Sequence, residues 1–297
     1  MIVSNLIGGL GNQMFQYACG RALSLDLGRE AKVFLGDFAG YRRHNGFSLS
    51  VAFRREFQMA GLDELRALVG WRSAPLARKA LRHPALASLR GASFIVDPED
   101  CVLRALRQAT PLQGAFLSGY WQSERYFGAH AAQIRQDLRW RQPLVGANER
   151  IADLIRGARS ASVHVRRGDY VNNAKALATH GVCPIGYYQR GVSALAEDGQ
   201  SRRWFVFSDD AAWAREHLAP LLAGEVHVVN HNQGADSHFD MQLMSLCDDH
   251  IIANSSFSWW GAWLSTAQEK RVVAPKRWFA KPIDTADRCP PSWLRLW

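Results

Sequence analysis

The run Ser162-Val163-His164-Val165-Arg166-Arg167-Gly168-Asp169-Tyr170 joins a short apolar strand to two adjacent arginines, a glycine and a carboxylate. Arginine matches a phosphate well, because its planar guanidinium forms two parallel, charge-assisted hydrogen bonds. At the end of a strand, such a pair faces the crevice where α/β sheets bind ligands. The run therefore predicts a strand of a parallel sheet followed by a phosphate site. The alternative is a surface charge cluster without a ligand.

The chain around this run alternates between strand-like and helix-like segments from about residue 150 onward. Strands are predicted at 161–165, 204–207, 226–229, 250–253 and 271–274, and helices at 185–197, 211–218 and 239–247. Strands separated by helices indicate βαβ units and a parallel sheet. This half is therefore predicted to be a Rossmann-like domain covering 148–297.

The first half, 1–147, has a less regular pattern. A strand at 2–6 leads into a glycine-rich turn at 8–11 and a helix at 12–27, which Gly28 ends. A basic stretch rich in alanine and leucine, 62–90, is predicted to be helical, and short strands are predicted at 94–96 and 115–117. The segment 142–147 contains a proline and a glycine and is the predicted linker.

Composition limits the classes of protein that fit. Of the 297 residues 47% are hydrophobic and 21% charged, which indicates a globular chain. The net charge of +9 implies an acidic partner, namely nucleotide phosphate, anionic lipid or nucleic acid. Five scattered cysteines without a C-x-x-C pair argue against disulfides or zinc, and no apolar run reaches the ~18 residues of a membrane span. The N-terminus does not resemble a signal peptide, so we expect a cytoplasmic protein.

The glycine-rich turn is a second candidate site. Gly9 and Gly11 begin a dinucleotide fingerprint, but Met14 stands where the third glycine belongs. The glycines still allow close approach of the backbone to a ligand, and the amides of Asn12 and Gln13 are donors beside it. The alternative is a tight turn that binds nothing.

Two further segments follow predicted strands. In Phe207-Ser208-Asp209-Asp210, one aspartate either accepts from a base or ribose or only caps the next helix. Asn254-Ser255-Ser256-Phe257-Ser258-Trp259-Trp260 places hydroxyls and free backbone N–H groups at a helix start, which predicts an anion site. The alternative there is an ordinary serine cap above buried tryptophans.

A metal site is not predicted. The chain contains no D-x-D, and His227 and His231 fall on a strand and its exit. We therefore expect arginine, and not Mg²⁺, to neutralise phosphate charge.

Taken together, six segments resemble the bacterial α-1,2-fucosyltransferases of glycosyltransferase family 11: 8–17, 119–124, 164–170, 180–183, 207–210 and 254–263. The resemblance implies an α/β, B-type glycosyltransferase fold with two Rossmann-like domains facing a cleft. The first domain, 1–147, would bind the acceptor, and the second, 148–297, would bind GDP-fucose. GDP-fucose would be a substrate, and no cofactor or metal is implied.

The resemblance also implies roles for individual residues. Arg166 would bind the β-phosphate and stabilise departing GDP, with Asp169 and Asn12 as the other catalytic residues. The implied donor-binding residues are Gly9, Gly11, Gln13, His164, Arg167, Ser208, Asp209, Asp210, Asn254, Ser255, Ser256, Phe257 and Ser258. The implied acceptor-binding residues are Tyr120, Trp121, His180 and Trp259, although for the tryptophans a place in the core is favoured. Asp169, His180 and His238 remain alternative general bases.

The expected reaction transfers L-fucose, with inversion, to the 2-hydroxyl of a terminal β-galactoside in a surface glycan. The expected partners are GDP-fucose, a β-galactoside glycan or lipid-linked oligosaccharide, and an anionic membrane surface at which the protein is peripheral. One alternative is a GDP-fucose transferase of another linkage, such as α-1,6 on chito-oligosaccharide. A nucleic-acid-binding protein is disfavoured, because its basic residues should line one face and no such motif is visible. A sugar-binding module without activity would not explain the arginine pair.

Overall fold

The computed structural model describes residues 1–39, 46–97, 113–168, 173–281 and 284–297. The chain divides into two compact units, Met1–Gln142 and Pro143–Trp297. The division falls at the beginning of the predicted linker, 142–147. Each unit contains a parallel sheet with helices, so the predicted α/β class is confirmed.

The first unit is built on a sheet of four strands among the described residues, in the order β2-β1-β4-β3. The strands are β1 (Ile2–Asn5), β2 (Ala31–Phe34), β3 (Phe94–Val96) and β4 (Ala115–Ser118). The α-helices are Leu10–Asp26, Leu49–Ala52, Leu62–Val69, Pro75–Ala80 and Ala131–Asp137. Because β1 pairs with both β2 and β4, the chain order reverses between β1 and β4. The segments after these two strands therefore flank the position where such sheets bind ligands.

The core on one face of this sheet is continuous and apolar. It is formed by Val3, Phe34, Ala60, Leu65, Val69, Leu81, Phe94, Val96 and Phe116. The strands contribute buried residues almost without interruption, as is typical of parallel strands covered on both faces. The helix Leu62–Val69 covers this face with Leu65 and Val69.

The second unit contains six described strands in the order β10-β9-β8-β5-β6-β7, all parallel. They are β5 (Ser160–Val165), β6 (Arg203–Ser208), β7 (Val226–Val229), β8 (Asp249–Ile251), β9 (Val272–Pro275) and β10 (Leu294–Leu296). The α-helices are Ala147–Arg156, Ala174–His180, Ile185–Ala196, Ala211–Trp213, His238–Met244 and Ser256–Leu264. Counted within the unit, this is the 3-2-1-4-5-6 order of a doubly wound sheet. The predicted Rossmann-like domain is confirmed.

The alternation of side chains along β5 explains how both faces are covered. Val163 and its neighbours two residues away pack against Tyr187 and Tyr188 of the helix Ile185–Ala196. On the opposite face, Ser162 Oγ lies 2.8 Å from His250 Nδ1 on β8. The polar residues that interrupt the β5 strand pattern therefore have partners within the sheet.

A buried carboxylate at the start of β8 uses part of the arginine surplus. Asp249 is fully buried, with Arg159 bound at 3.1 and 3.2 Å and Arg202 Nε at 2.7 Å. The backbone N–H of Arg271 also donates to it. A buried charge is tolerated only when it is paired and hydrogen-bonded, so these contacts are structural.

Four cysteines, Cys19, Cys183, Cys247 and Cys289, are free and buried in the structure, and Cys101 lies outside the described residues. Burial raises the pKa of Cys183 and of Cys289 to about 12. Both thiols are therefore protonated and unreactive near neutral pH.

The longest helix in the described ranges, Leu10–Asp26, has 17 residues. Within those ranges no helix combines the length and the apolar content needed to cross a bilayer.

The close approach of β4 to Asp97 gives a test of the first unit. A Cβ added to Gly119 would lie 2.2 Å from the Cβ and 3.1 Å from the backbone N of Asp97. We expect Gly119→Ala to lower the free energy of unfolding by about 1–3 kcal/mol, measured by urea denaturation, because the main chains must separate. Gly186→Ala, in a helix with its nearest neighbouring atom at 3.5 Å, is the matched control and should be neutral or slightly stabilising. Wild-type stability of Gly119→Ala would contradict this packing.

Candidate active site

Three segments of the second unit meet at the carboxyl edge of its sheet. β5 pairs with β6 on one side and with β8 on the other. The residues that follow these strands are Arg166–Gly168, Asp209–Asp210 and Asn254–Ser256. The chain order reverses between β5 and β8, which is where doubly wound sheets bind ligands. The arginine pair, the aspartate pair and the serine-rich segment are therefore brought together, as the sequence predicts for one site.

The carboxylate of Asp209 organises the turn after β5. Its Oδ1 accepts hydrogen bonds from the backbone N–H groups of Arg167, at 2.8 Å, and Gly168, at 2.9 Å. Its Oδ2 lies 3.2 Å from Nη1 of Arg166. A Cβ on Gly168 would be 3.1 Å from the carbonyl oxygen of Asp209, so the turn packs closely against the end of β6. Asp209 thus fixes the backbone between the arginines and holds one guanidinium.

Arg167 is held by a different pair of groups. Its Nε lies 3.5 Å from Asp210 Oδ2, and its guanidinium stacks over the Trp213 ring at 4.8 Å. Asp210 Oδ1 also accepts from the backbone N–H of Trp213, at 3.1 Å. The capping interpretation is thereby confirmed for Asp210. Ser208 Oγ in turn accepts from the backbone N–H of Asp210.

Both arginine side chains remain reachable. Each is 29% exposed, so its guanidinium is held by a carboxylate on one side and open to solvent on the other. An incoming anion can therefore contact both cations without unfolding the turn.

His164, the penultimate residue of β5, is buried at 6% exposure. Its Nδ1 has no hydrogen-bond partner among the described residues, and its ring lies 5.9 Å from the ring of Phe257. Burial lowers its pKa to about 4; the carboxylate of Asp209 opposes this shift, and the Arg166 guanidinium adds to it. The imidazole is therefore neutral near pH 7. A buried ring nitrogen without a partner costs free energy, which a ligand contact would recover.

The serines begin the helix Ser256–Leu264. Ser255 caps it, because its Oγ accepts from the backbone N–H of Phe257 at 3.3 Å. Ser258 is buried and donates to the carbonyl oxygen of Ser255. Ser255 and Ser256 remain partly exposed at the helix start, where the helix dipole and free N–H groups favour an anion.

Asn254 is occupied by the protein itself. It is buried, and its Nδ2 donates to the carbonyl oxygens of His180, at 2.9 Å, Gly181 and Trp278. Its Oδ1 accepts from the thiol of Cys183. The predicted contact of this amide with the donor does not fit these bonds, because its nitrogen already serves three carbonyls. Asn254 instead anchors the end of the helix Ala174–His180.

The predicted acceptor residues divide into exposed and buried ones. Tyr120 is 48% exposed, and His180 is half-buried with its ring 5.8 Å from that of Phe279. Trp121 and Trp259 are each 1% exposed, and Trp259 Nε1 donates to the carbonyl oxygen of Arg288. Both tryptophans therefore lie in the core, the alternative that the sequence favours.

In the first unit, the glycine-rich turn is closed by Gln13. Gly8 has a φ of +89°, which requires glycine, and Gly9 precedes the helix Leu10–Asp26 as its cap. Gln13 Nε2 donates to the carbonyl oxygens of Gly8 and Gly46, both at 2.8 Å, and its Oε1 accepts from Ser48 N–H. Gln13 is fully buried, so its amide holds this turn. A contact with the donor does not fit that burial, and Gly11 is likewise buried in the helix.

Asn12 has a more open position at the same turn. It is half-buried, and its Oδ1 accepts from Nε2 of Gln122 at 2.6 Å. Gln16 makes a second link, from the N–H of Ile7 to the carbonyl oxygen of Gly119. The sequence analysis gives Gln16 and Gln122 no role, although both lie in the quoted motifs. The signal that finds them is the pairing of β1 with β4, which places their loops side by side.

The loop after β4 contains a strained residue. Trp121 has a φ of +53°, which is costly for a bulky side chain. Asp97 Oδ2 accepts from the backbone N–H groups of Tyr120 and Trp121 and holds this conformation. The turn presents Tyr120 to solvent while the indole is buried.

Asp169, a predicted catalytic residue, lies outside the described residues. In the part of the chain that the structure describes, no three His, Cys, Asp or Glu side chains group as metal ligands would.

The buried imidazole gives a test by pH. The pKa of His164 is about 4 in the folded protein against 6.5 ordinarily, so the unfolded chain binds the extra proton between these values. The free energy of unfolding should therefore fall as the pH falls through this window. We expect His164→Gln to remove roughly 2–3 kcal/mol of that loss, measured by urea denaturation across the window. Exposed His217→Gln is the control, and parallel profiles for wild type and His164→Gln would refute the assignment.

Comparison with known proteins gives the family. The model for Glycosyl transferase family 11 matches residues 108–296. The alpha-1,2-colitosyltransferase of Escherichia coli is 34% identical over 305 residues, covering 100% of this chain and 99% of that protein. The O-antigen biosynthesis glycosyltransferase WbnK of Escherichia coli is 31% identical over 319 residues, covering 99% of each.

A solved structure supports the fold. The fucosyltransferase NodZ from Bradyrhizobium matches with a TM-score of 0.56 and 14% identity, over 88% of this chain and 90% of NodZ. NodZ alpha-1,6-fucosyltransferase soaked with GDP-fucose matches with a TM-score of 0.55 and 16% identity, over 89% and 91%. This likeness confirms the predicted B-type class of fold. On the family match and the relatives that align along its whole length, the chain belongs to glycosyl transferase family 11.

Proposed function

We propose that this protein is an inverting transferase that moves L-fucose from GDP-fucose to the 2-hydroxyl of a terminal β-galactoside in a surface glycan. The observation that carries the proposal is the meeting of Arg166, Arg167, His164 and the start of the helix Ser256–Leu264 at one sheet edge. Two cations, a neutral imidazole and free N–H groups are the donors that a nucleoside diphosphate requires.

The family and its relatives support the reaction class. The α-1,2 linkage appears in the name of the colitosyltransferase relative, and O-antigen biosynthesis in that of WbnK. A structure of similar fold was soaked with GDP-fucose, which supports this donor class. The fucosyltransferase motifs of the sequence support L-fucose as the sugar.

The arginines are proposed to act on the leaving group. As the sugar–oxygen bond breaks, negative charge grows on the GDP β-phosphate and the sugar acquires oxocarbenium character. Arg166 is proposed to turn from Asp209 to the β-phosphate, while Arg167 neutralises the neighbouring oxygens. Asp209 keeps its two backbone N–H bonds, so the turn stays preorganised. Preorganised donors of this kind are usually the largest single contribution to catalysis.

The remaining donor groups are proposed to complete the site. Ser255 and Ser256, with the helix N–H groups, bind further phosphate oxygens. His164 gives its unpaired Nδ1 to the guanine or the diphosphate, and Asp209 or Asp210 accepts from the guanine edge. Asn12 is proposed to contact the donor near its reacting bond.

The acceptor hydroxyl loses a proton, and three bases are proposed as alternatives. They are Asp169, His180 and His238. His238 is buried, and its Nδ1 lies 2.8 Å from the carbonyl oxygen of Ala235, which leaves Nε2 as its acceptor. Tyr120 is proposed to contact the acceptor sugar. Because the arginines neutralise the diphosphate, the reaction is proposed to need no metal.

A second donor is favoured by one observation. The relative at 34% identity is named for colitose, which is L-fucose without its 3-hydroxyl. The proposed diphosphate contacts do not depend on that hydroxyl, so GDP-colitose is the alternative donor.

Arg166 is the most direct point of attack on the proposal. We expect Arg166→Ala to lower turnover by about 10²–10³ while the protein stays folded. Arg166→Lys should also fail, because an ammonium cannot replace the two parallel hydrogen bonds. Exposed Arg215→Ala, in the same unit, is the control and should keep wild-type turnover. Near-normal turnover of Arg166→Ala, measured as GDP release, would sink the phosphate assignment.

The reaction is tested with purified protein, EDTA, GDP-fucose or GDP-colitose, and β-galactosides including lactose. We expect transfer in the presence of EDTA, with NMR showing the new sugar α-linked to the 2-hydroxyl of galactose. An α-1,6 product on chito-oligosaccharide would contradict the linkage, and faster transfer from GDP-colitose would replace the donor. Absence of GDP binding by calorimetry would overturn the proposal.

A further inference from the structure

The positive charge of the chain is concentrated in one segment. Residues 65–96 contain Arg66, Arg72, Arg78, Lys79, Arg82 and Arg90 and not one aspartate or glutamate. Two thirds of the net charge of +9 therefore comes from about a tenth of the chain. The segment belongs to the first unit, so this charge is separate from the arginine pair after β5.

The same part of the chain exposes large apolar side chains. Leu62 is 62% exposed, Trp71 56%, Leu76 84% and Leu89 47%. Single exposed leucines are ordinary, but four large apolar side chains within one short segment are not. We call these four residues, with Arg66, Arg72 and Lys79, the Trp71 surface.

The members of the Trp71 surface lie beside one another. Arg72 Nε donates to the carbonyl oxygen of Leu89 at 2.6 Å, and its guanidinium lies 5.0 Å from the centre of the Trp71 ring. Leu76 and Lys79 are three residues apart in the helix Pro75–Ala80 and so share a face. Leu62 and Arg66, four apart in the helix Leu62–Val69, do the same. Each exposed apolar side chain therefore has a cation next to it.

The cations of the Trp71 surface differ from those beneath it. Arg78 is buried and, like Arg82, pairs with Asp37. Neither Arg66 nor Lys79 has a carboxylate within ion-pair distance in the described ranges, and both are exposed. The inner side of the segment is anchored, since Leu65, Val69 and Leu81 belong to the core. The surface is thus a fixed platform with uncompensated positive charge.

We propose that the Trp71 surface docks this protein on an anionic lipid bilayer. Leucine and tryptophan side chains enter the boundary between headgroups and acyl chains, and arginine and lysine remain at the level of the phosphates. A protein partner would need an unbroken acidic surface to match a segment without any carboxylate, whereas anionic lipids supply that charge everywhere. With four apolar side chains and three cations, binding is weak and reversible.

The inference does not depend on the donor or acceptor of the proposed reaction. It does place the protein where a lipid-linked acceptor would be found. Failure of vesicle binding would leave transfer to free β-galactosides untouched, so the two proposals fail separately.

The test uses the full chain and flotation with phosphatidylcholine vesicles, with and without phosphatidylglycerol. We expect binding only to the anionic vesicles, and weaker binding at high salt. The double variant Trp71→Ser/Leu76→Ser and the double variant Arg66→Gln/Lys79→Gln should each lower the partition coefficient by roughly tenfold or more. Their unfolding midpoints and their turnover with a soluble acceptor should stay at wild-type values.

Matched controls come from the second unit and the linker. Val145→Ser removes a side chain that is 64% exposed, and Arg150→Gln/Arg215→Gln removes two exposed charges; neither should change binding. Equal losses in control and test variants would mean that bulk charge alone is responsible and would overturn the assignment. Absence of wild-type binding to anionic vesicles would also overturn it. So would sedimentation equilibrium showing a dimer that Trp71→Ser/Leu76→Ser dissolves, because the occupant would then be a second copy of the chain.

Discussion

The order of the strands in the second sheet determines where its site can form. β5 lies between β6 and β8, and the chain order reverses between β5 and β8. The connections that leave these strands cannot cover the same edge, so a crevice remains at their carboxyl ends. Each chemical group of the site follows one of these three strands. The site therefore depends on correct pairing of strands that are about 90 residues apart in sequence, such as Ser162 with His250.

Hydrogen bonds from side chains to the backbone then fix the loops. Asp209 holds the turn after β5, Asn254 holds the end of the helix Ala174–His180, and Gln13 holds the glycine-rich turn. In each case a buried or half-buried polar group satisfies main-chain groups that no strand or helix serves. Several motif residues thus maintain the shape of the site, while others are left open toward a ligand.

The sequence predicts the second unit well because its strands are apolar and regularly spaced. The strand at 226–229 is predicted with its observed bounds, and the other four predicted strands are correct to within two residues. β2 and β10 are missed, since β2 contains Lys32 and β10 is a half-exposed strand of three residues. The helical stretch 62–90 is broken in the structure, at Gly70 with a φ of +62° and before Pro75 and Pro84. The local pattern shows helical character there but not where tertiary packing allows each helix to end.

The site is predicted less completely than the fold. The meeting of the arginines, the aspartates and the serine-rich helix start follows from the strand pattern. Whether an amide faces a ligand or the protein does not, because Asn12 and Gln13 are adjacent and chemically alike, yet only Gln13 is fully buried. The unpaired nitrogen of His164 also depends on burial by distant residues. Long-range packing, and not local sequence, decides these roles.

The pairing of both arginines with aspartates has a consequence for selectivity. Two unpaired guanidiniums would hold inorganic phosphate, which is abundant in cells, and the site would be blocked by it. Here a small anion must replace the carboxylates of Asp209 and Asp210 and gains little by the exchange. A larger ligand that also engages the helix start and the buried imidazole gains more contacts than it breaks. The aspartates therefore act as internal competitors, which reject simple ions and admit only an anion that spans the whole site.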